Sequence, residues 1–307
     1  MCLILNSCNI KSNQIGGQQI KSDSKFFQEY PKLKEQEAWP KIINLGLQSI
    51  NTGNLTPEEQ AVVNLRLASC YHYIGKFEMA AKIAENARKY LESSDNIDLL
   101  GRSYYLLSAS YRSISLKAPS PDKQKKFTKI AHEWIDRALT LTDNSKVKNF
   151  TKAKIYFNAG ALEQDVDHNN KKACEYYLKA MKIFAEEPHA KDDYDRTAIR
   201  YLRSQLELGN LNAAELKAKE LAKTIDLDSK TGVHLLQLQS KISFQKDTFH
   251  ESYNYVEQAL DIALRKGLKT DIDRLEILKQ TIIKKEPTVQ SSSLKLQSSL
   301  KTSGMAK

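Results

Sequence analysis

The sequence is poor in residues that interrupt helices, with 7 prolines and 11 glycines among 307 residues. This scarcity excludes collagen-like and Gly/Pro-rich disordered chains, and it allows long helices. Alternating β-branched runs bounded by turn residues are also missing, which argues against strands. Apolar runs stay well below the ~18–20 residues of a membrane span. The sequence therefore predicts an all-α protein that does not cross a bilayer.

Cysteine is scarce as well, and its four positions contain no CxxC pair. This spacing predicts neither a zinc site nor a disulfide framework and favours a reducing compartment, so we expect a cytoplasmic protein. Cys70 and Cys174 fall within helical patterns, where a buried, inert thiol is expected. The segment from Met1 to Cys8 resembles the end of a lipoprotein signal but lacks a basic n-region. If this segment is the remnant of a signal, the alternative is a secreted or lipid-anchored protein.

Motifs for catalysis and cofactor binding are absent. The sequence has no GxxxxGK[ST], no GxGxxG and no HExxH, and its six histidines are dispersed. Asp165, Asp167 and His168 could hold a metal loosely, but a solvated polar turn is the favoured interpretation. We therefore predict a protein that is not an enzyme, with no catalytic residues, no cofactor and no metal site.

Positive charge is in excess, with a formal net charge of +10 and a pI near 9.2. Such a chain attracts nucleic acid, anionic lipid or acidic protein segments. The densest basic stretch contains Lys117, Lys123, Lys125, Lys126 and Lys129. Few aromatic residues are interleaved with these lysines, so a solvated loop and helix start is favoured over contact with nucleic acid.

Helix boundaries are marked clearly in the central part of the chain. Thr56, Pro57 and Glu59 form the pattern of a capping box, which predicts a helix over about 57–73. Ser120 and Pro121 predict another helix start, and Gly267 is placed to end a helix in the left-handed conformation. Eleven helices are expected from residue 57 onward. The polar, Ser- and Lys-containing ends, 1–25 and 287–307, are predicted to be disordered.

A repeated pattern of small and aromatic residues runs through the helices. Its clearest copy, at 61–94, contains Leu67, Ala68, Tyr71, Gly75, Phe77, Ala80, Ala84 and Ala87. The small residues permit close approach of two antiparallel helices, and the aromatic rings fill the remaining space. Related patterns occur at about 101–141, 153–185, 195–225 and 233–266, and the second copy carries an insertion.

This pattern resembles the tetratricopeptide repeat, although the Trp and Pro of the consensus are missing and the spacing is irregular. The resemblance implies a right-handed superhelical solenoid of about 11–13 helices, with a concave groove lined by the first helix of each pair. The repeat domain would span 26–286, with helices over 26–50 packed on the first repeat and a capping helix at 268–284.

The predicted groove carries basic and aromatic residues of the types enriched at protein-binding hot spots. On the first helices of the repeats these are Arg102, Tyr105, Arg112, Lys154, Phe157, Asn158, Arg196, Arg200 and Arg203. The last three are spaced i, i+4 and i+7 and so share one helix face.

In tetratricopeptide proteins that hold the acidic tails of chaperones, two basic residues of one repeat and an Asn of the preceding repeat grip the terminal carboxylate. Arg196, Arg200 and Asn158 match these positions, whereas Tyr105 and Ala109 stand where the family has Lys and Asn. This partial match argues against binding of a chaperone tail, and a solvated arginine stripe paired with neighbouring acids is the main alternative to an anionic ligand in the groove. The sequence therefore predicts a scaffold or adaptor that binds a peptide or helix of another protein, with an acidic segment as one candidate partner. The alternative is a helical-repeat protein that binds nucleic acid or an anionic surface.

Overall fold

A computed structural model describes residues 24–289 of the chain. Within this range all regular structure is helical, in thirteen helices, and no strand occurs. The all-α prediction and the predicted number of helices are confirmed. Most of the two segments predicted to be disordered, 1–25 and 287–307, lies outside the described residues.

The chain divides into two compact units, with the boundary between Asp167 and His168. Unit 1 contains α1 (Lys25–Glu35), α2 (Trp39–Asn51), α3 (Pro57–Tyr73), α4 (Phe77–Leu91), α5 (Ile97–Leu116), α6 (Pro121–Thr140) and α7 (Asn149–Asp165). Unit 2 contains α8 (Asn170–Glu186), α9 (Lys191–Glu207), α10 (Leu211–Leu221), α11 (Lys230–Gln245), α12 (Phe249–Arg265) and α13 (Lys269–Lys285). From residue 57 onward the described chain has the eleven helices expected from the sequence.

Local capping chemistry sets the start of α3. The Thr56 hydroxyl accepts a hydrogen bond from the Glu59 backbone N–H, and the Glu59 carboxylate accepts one from the Thr56 N–H. This reciprocal pair satisfies two of the donors that a helix start leaves unpaired, which typically contributes about 1 kcal/mol. Two glycines follow helix ends: Gly75, a member of the repeat pattern, has a φ of +78°, and Gly267, predicted to end a helix, has a φ of +64°. Both are left-handed conformations that glycine adopts cheaply.

Small residues let the helices of unit 1 pack closely. Ala80, Ala84 and Ala87 of α4 are at most 1% exposed, as is Ala68 on the facing α3. Each helix packs against the next along the chain, and α5 also packs against α3 and α7. The insertion predicted in the second repeat lengthens both its helices, because α5 and α6 have 20 residues each where α3 has 17.

Unit 2 is built in the same manner from sequential helix packing. Helix α11 packs on α9, α10, α12 and α13. One apolar cluster is centred on Leu202, Leu221 and Leu235, and a second is centred on Val256, Leu275 and Ile282. The predicted capping helix is present as α13, whose Leu275 and Ile282 are fully buried. The repeat boundaries themselves stay a prediction, and the helices of the predicted repeat 153–185, α7 and α8, belong to different units.

Candidate partner-binding surface

The first helices of the predicted repeats in unit 1, namely α3, α5 and α7, form one layer with a parallel register. Asp98 of α5 accepts a hydrogen bond from the Lys148 N–H, just before α7, at 3.0 Å. Further along both helices, Arg112 Nε lies 3.6 Å from Asp165 Oδ2. Both contacts advance in the same direction along α5 and α7, so these helices run parallel. In a tetratricopeptide-like stack this layer is the side on which the groove is expected.

Arg102, a predicted groove residue, is only 9% exposed and is held within this layer. Its Nη2 lies 3.0 Å from Asp98 Oδ2, and its Nε donates to Thr151 Oγ1 at 3.2 Å. Removing one partner of a buried ion pair leaves an uncompensated buried charge and is strongly destabilising. Arg102 therefore joins α5 to α7 and presents little of its guanidinium to a partner.

Arg112 is similarly buried, at 7% exposure, with Asp165 as its carboxylate neighbour. On the adjacent α3, His72 has an inaccessible Nδ1, and its ring lies 5.0 Å from that of Phe77. Burial, followed by the nearby charge of Arg112, lowers the pKa of His72 to about 4. His72 therefore stays neutral down to well below pH 6.

The remaining predicted residues of unit 1 differ in exposure. Asn158 is buried, and its Nδ2 donates to the Lys154 carbonyl at 2.8 Å. Tyr105, Lys154 and Phe157 are partly exposed, and Lys154 Nζ lies 5.9 Å from the centre of the Phe157 ring. Arg102 of α5 contacts Thr151 of α7, and the two helices are parallel. Residues 105 and 154 each lie three positions further along, so they are at the same level of α5 and α7. This register predicts an aromatic and basic strip in unit 1, formed by Tyr105, Lys154 and Phe157.

The sequence analysis missed a buried cation in the same layer, Arg66 of α3, which is 7% exposed. Its guanidinium carbon lies 4.1 Å, 5.0 Å and 5.6 Å from the ring centres of three α1 residues, Tyr30, Phe27 and Phe26. Within residues 24–289 its Nε and Nη1 atoms make no hydrogen bond. Burial lowers the pKa of Arg66 to about 10 and raises the pKa of Tyr30. Cation–π attraction offsets part of the cost of burial and ties α1 to α3.

In unit 2, the three predicted arginines lie on α9. Arg196 is exposed and paired with Asp193, since its Nη2 lies 3.0 Å from Asp193 Oδ1. Arg200 and Arg203 are partly exposed. The structure therefore places six of the predicted groove residues in unit 1 and three in unit 2.

The Asp165–His168 turn has the character of a structural turn. Asp165 faces Arg112, and Asp167 Oδ1 lies 3.1 Å from His132 Nε2. No group of three or more potential metal ligands occurs in the part of the chain that the structure describes. Within 24–289, no helix is both long and apolar enough to reach across a bilayer. Cys70 and Cys174 are free and buried, as expected.

Comparisons with known proteins identify the fold. No family model matches the chain, and no curated protein matches its sequence. The apo form of RapI, known from a crystal structure, aligns with 86% of this chain and 98% of its own, with a TM-score of 0.52 and 13% identity. A Rap protein complexed with Competence and Sporulation Factor aligns over 86% of this chain and 75% of its own, with a TM-score of 0.58 and 11% identity. The chain is thus similar to these proteins in fold, and that fold is a tetratricopeptide-like helical repeat.

Proposed function

We propose that this chain is a non-enzymatic scaffold that holds an extended or helical segment of another protein against its first helices. The observation that carries the proposal is the strip of Tyr105, Lys154 and Phe157, which lies along the parallel α5 and α7 and is partly exposed. Tyrosine and other aromatic residues contribute large contact areas and are enriched in protein interfaces. The Rap protein complexed with Competence and Sporulation Factor supports the proposal, because it has a fold of this kind.

Partner contact in unit 1 would fall on this strip rather than on the buried arginines. Arg102 and Arg112 already face Asp98 and Asp165, so they orient the layer. Basic contacts to an acidic partner would come from Lys154, and in unit 2 from Arg196, Arg200 and Arg203. Charge-assisted hydrogen bonds to a carboxylate are stronger than neutral ones, which favours an acidic segment.

The test compares two variants in affinity capture from the native lysate. Tyr105→Ala combined with Phe157→Ala removes the aromatic strip, while Tyr90→Ala removes an exposed tyrosine of α4, a second helix, as the control. Hot-spot residues contribute about 2 kcal/mol or more, so we expect the double variant to lose proteins that the wild type and the control retain. Circular dichroism and thermal melting of both variants are the controls for correct folding. Retention of every partner by the double variant would contradict the proposal.

The alternative function, binding of nucleic acid, is favoured by the net charge of +10. The Lys-rich stretch supports it poorly, because its aromatic residue Phe127 stacks on Tyr111 with ring centres 6.2 Å apart. Binding through six to ten phosphates would weaken by about a thousandfold or more between 50 and 200 mM salt. Anisotropy of a labelled single-stranded oligonucleotide over this range tests the alternative, and tight binding with such a slope would favour it.

A further inference from the structure

The turns that end the first helices of unit 1 lie together at one edge of the unit. Tyr73, the last residue of α3, stacks on Trp39, the first residue of α2, with ring centres 4.6 Å apart. After the turn at Gly75, the ring of Phe77 begins α4, and Lys117 Nζ lies 4.6 Å from its centre. Lys117 directly follows α5. The turn between α3 and α4 therefore lies beside the turn between α5 and α6.

The start of α6 belongs to the same edge. Ser115 Oγ of α5 donates a hydrogen bond to the Gln124 carbonyl at 3.1 Å, and it lies 2.7 Å from Thr128 Oγ1 of α6. These contacts hold the Lys-rich stretch against the end of α5. We call this surface the lysine edge and define it by four apolar and four basic residues: Trp39, Tyr73, Phe77, Leu116, Lys117, Lys123, Lys125 and Lys126.

Exposed apolar side chains are concentrated at the lysine edge. Among the described residues of unit 1, five large hydrophobic side chains are exposed, and three lie at this edge or within one turn of it: Tyr73 at 50%, Leu116 at 49% and Met79 at 41%. Trp39 and Phe77 are partly exposed as well. Exposed apolar residues that gather at one place, rather than lying singly, indicate a surface that contacts a partner or a membrane.

Positive charge accompanies these apolar residues. Segment 116–129 contains five lysines and one acid, Asp122. In the part of the chain that the structure describes, Lys129 is the one lysine of this segment that forms an ion pair, 3.9 Å from Glu133. The turn at the other end of α5, 92–98, contains three acids and no basic residue. A net positive charge and exposed apolar side chains therefore coincide at one end of α5.

We propose that the lysine edge docks on the surface of an anionic lipid bilayer. Tryptophan and tyrosine are enriched at membrane–water interfaces, where the ring contacts apolar chains and its polar atom stays hydrated. Lysine carries its charge at the end of an apolar stem, so the stem covers apolar surface while the ammonium group reaches the lipid headgroups. Anionic headgroups attract lysines that lie close to the membrane surface. This function goes beyond the proposed scaffold and does not depend on it.

Two other kinds of partner fit these residues less well. Lysine is depleted in protein–protein interfaces whereas arginine is enriched, and segment 116–129 contains no arginine. Single-stranded nucleic acid stacks its bases on free ring faces. At the lysine edge, Tyr73 already covers one face of Trp39. The ammonium group of Lys117 likewise lies over the ring of Phe77.

The test measures binding of the full chain to vesicles by sedimentation. Vesicles of phosphatidylcholine with about 30% phosphatidylserine are compared with vesicles of phosphatidylcholine alone. The edge variant combines Lys123→Gln with Lys126→Gln. The control variant combines Lys89→Gln, in the last turn of α4, with Lys146→Gln, just before α7, and so removes two exposed lysines at the opposite end of these helices.

We expect tight binding to the anionic vesicles alone. A lysine near an anionic surface strengthens binding about fivefold, so the edge variant should bind about twentyfold more weakly than the wild type. The control lysines are separated from the edge by the length of α5, about 30 Å, which is several Debye lengths, so the control should bind like the wild type. Circular dichroism and thermal melting of every variant are the controls for folding.

A second readout tests the apolar part of the lysine edge. The chain has two tryptophans, so Trp134→Phe leaves Trp39 as the single fluorophore. Brominated phosphatidylcholine in the anionic vesicles should quench the emission of Trp39. Leu116→Gln should weaken vesicle binding about threefold to tenfold. Leu47→Gln, at an exposed position of α2 more than two turns from Trp39, should leave it unchanged.

Several results would overturn the proposal. These are absence of binding to the anionic vesicles, equal weakening in the edge and control variants, and unquenched Trp39 emission in the bound protein. Release from the vesicles by a single-stranded oligonucleotide at the same phosphate concentration would overturn it in favour of nucleic acid. The scaffold proposal is tested separately, because Tyr105→Ala with Phe157→Ala should leave vesicle binding unchanged.

Discussion

Arg66, Arg102 and Arg112 are each more than nine-tenths buried in unit 1, yet their surroundings differ. Arg102 and Arg112 face carboxylates, whereas Arg66 lies among three aromatic rings of α1. A buried cation needs either a counter-charge or the face of a π system to offset its loss of water. These arginines therefore hold helices together, and the proposed partner binding would involve more exposed residues.

At the residue scale, we predict a pH dependence of stability caused by His72. The folded pKa is about 4 and the unfolded value is 6.5, so between these pH values the unfolded chain takes up a proton that the folded chain does not. Stability is then fully present above about pH 6.5 and falls as the pH decreases towards 4. Between pH 7.5 and 5 we expect a loss on the order of 2 kcal/mol in the free energy of unfolding.

Urea denaturation at several pH values measures this loss. His72→Gln should flatten the dependence between pH 7.5 and 5, whatever its effect on absolute stability. The matched control, His189→Gln, alters an exposed histidine and should keep the wild-type dependence. An unchanged slope in His72→Gln would show that His72 takes up its proton equally in both states.

At the scale of single helices, the sequence predicts best what local chemistry decides. The start of α3 depends on Thr56 and Glu59, three residues apart, and the predicted helix over 57–73 is confirmed. The partners of the groove residues were harder to find, because Arg102 meets Thr151 across 49 positions of sequence. The ion pair between Asp98 and Arg102 could have been predicted, because Asp98 precedes Arg102 by four residues on the same helix. The contact between the Tyr30 ring and Arg66 could not be predicted in this way, because no sequence pattern shows how side chains of α1 meet those of α3.

The close packing of α3 and α4 yields an element-scale prediction. Ala80 is fully buried where these helices cross, so Ala80→Leu forces extra volume into a filled space. We expect the free energy of unfolding to decrease by about 1–3 kcal/mol, as measured by urea denaturation. Asn86→Leu, at an exposed position of the same helix, should change it by no more than about 0.5 kcal/mol. A neutral effect of Ala80→Leu would mean that α3 and α4 are not packed through the small residues of the repeat.

At the scale of the whole molecule, stability in each unit comes from contacts between helices that are one or two places apart in the chain. In unit 1 each helix packs on the next, and α5 adds contacts to α3 and α7. Helical-repeat chains of this kind are stabilised by the sum of their nearest-neighbour interfaces, so a complete set of interfaces suffices for folding. The sequence indicated such an arrangement through its repeated small residues, but not the division at Asp167 and His168. That boundary depends on how many contacts the helices make within each unit, and these contacts cannot be read from the sequence.

This locality predicts that residues 24–167, produced as a separate chain, fold without the rest of the protein. The fragment keeps α1 to α7 and every contact described among them, so we expect a helical circular dichroism spectrum and a cooperative thermal transition. A shorter fragment, 24–116, serves as the control, because it ends with α5 and removes α6 and α7. Leu107 and Ile114, which are buried in the full chain, lie on that terminal helix, and the control should unfold at a lower temperature with a broader transition. Equal melting of the two fragments would show that α6 and α7 add nothing to the stability of unit 1, contrary to a nearest-neighbour account.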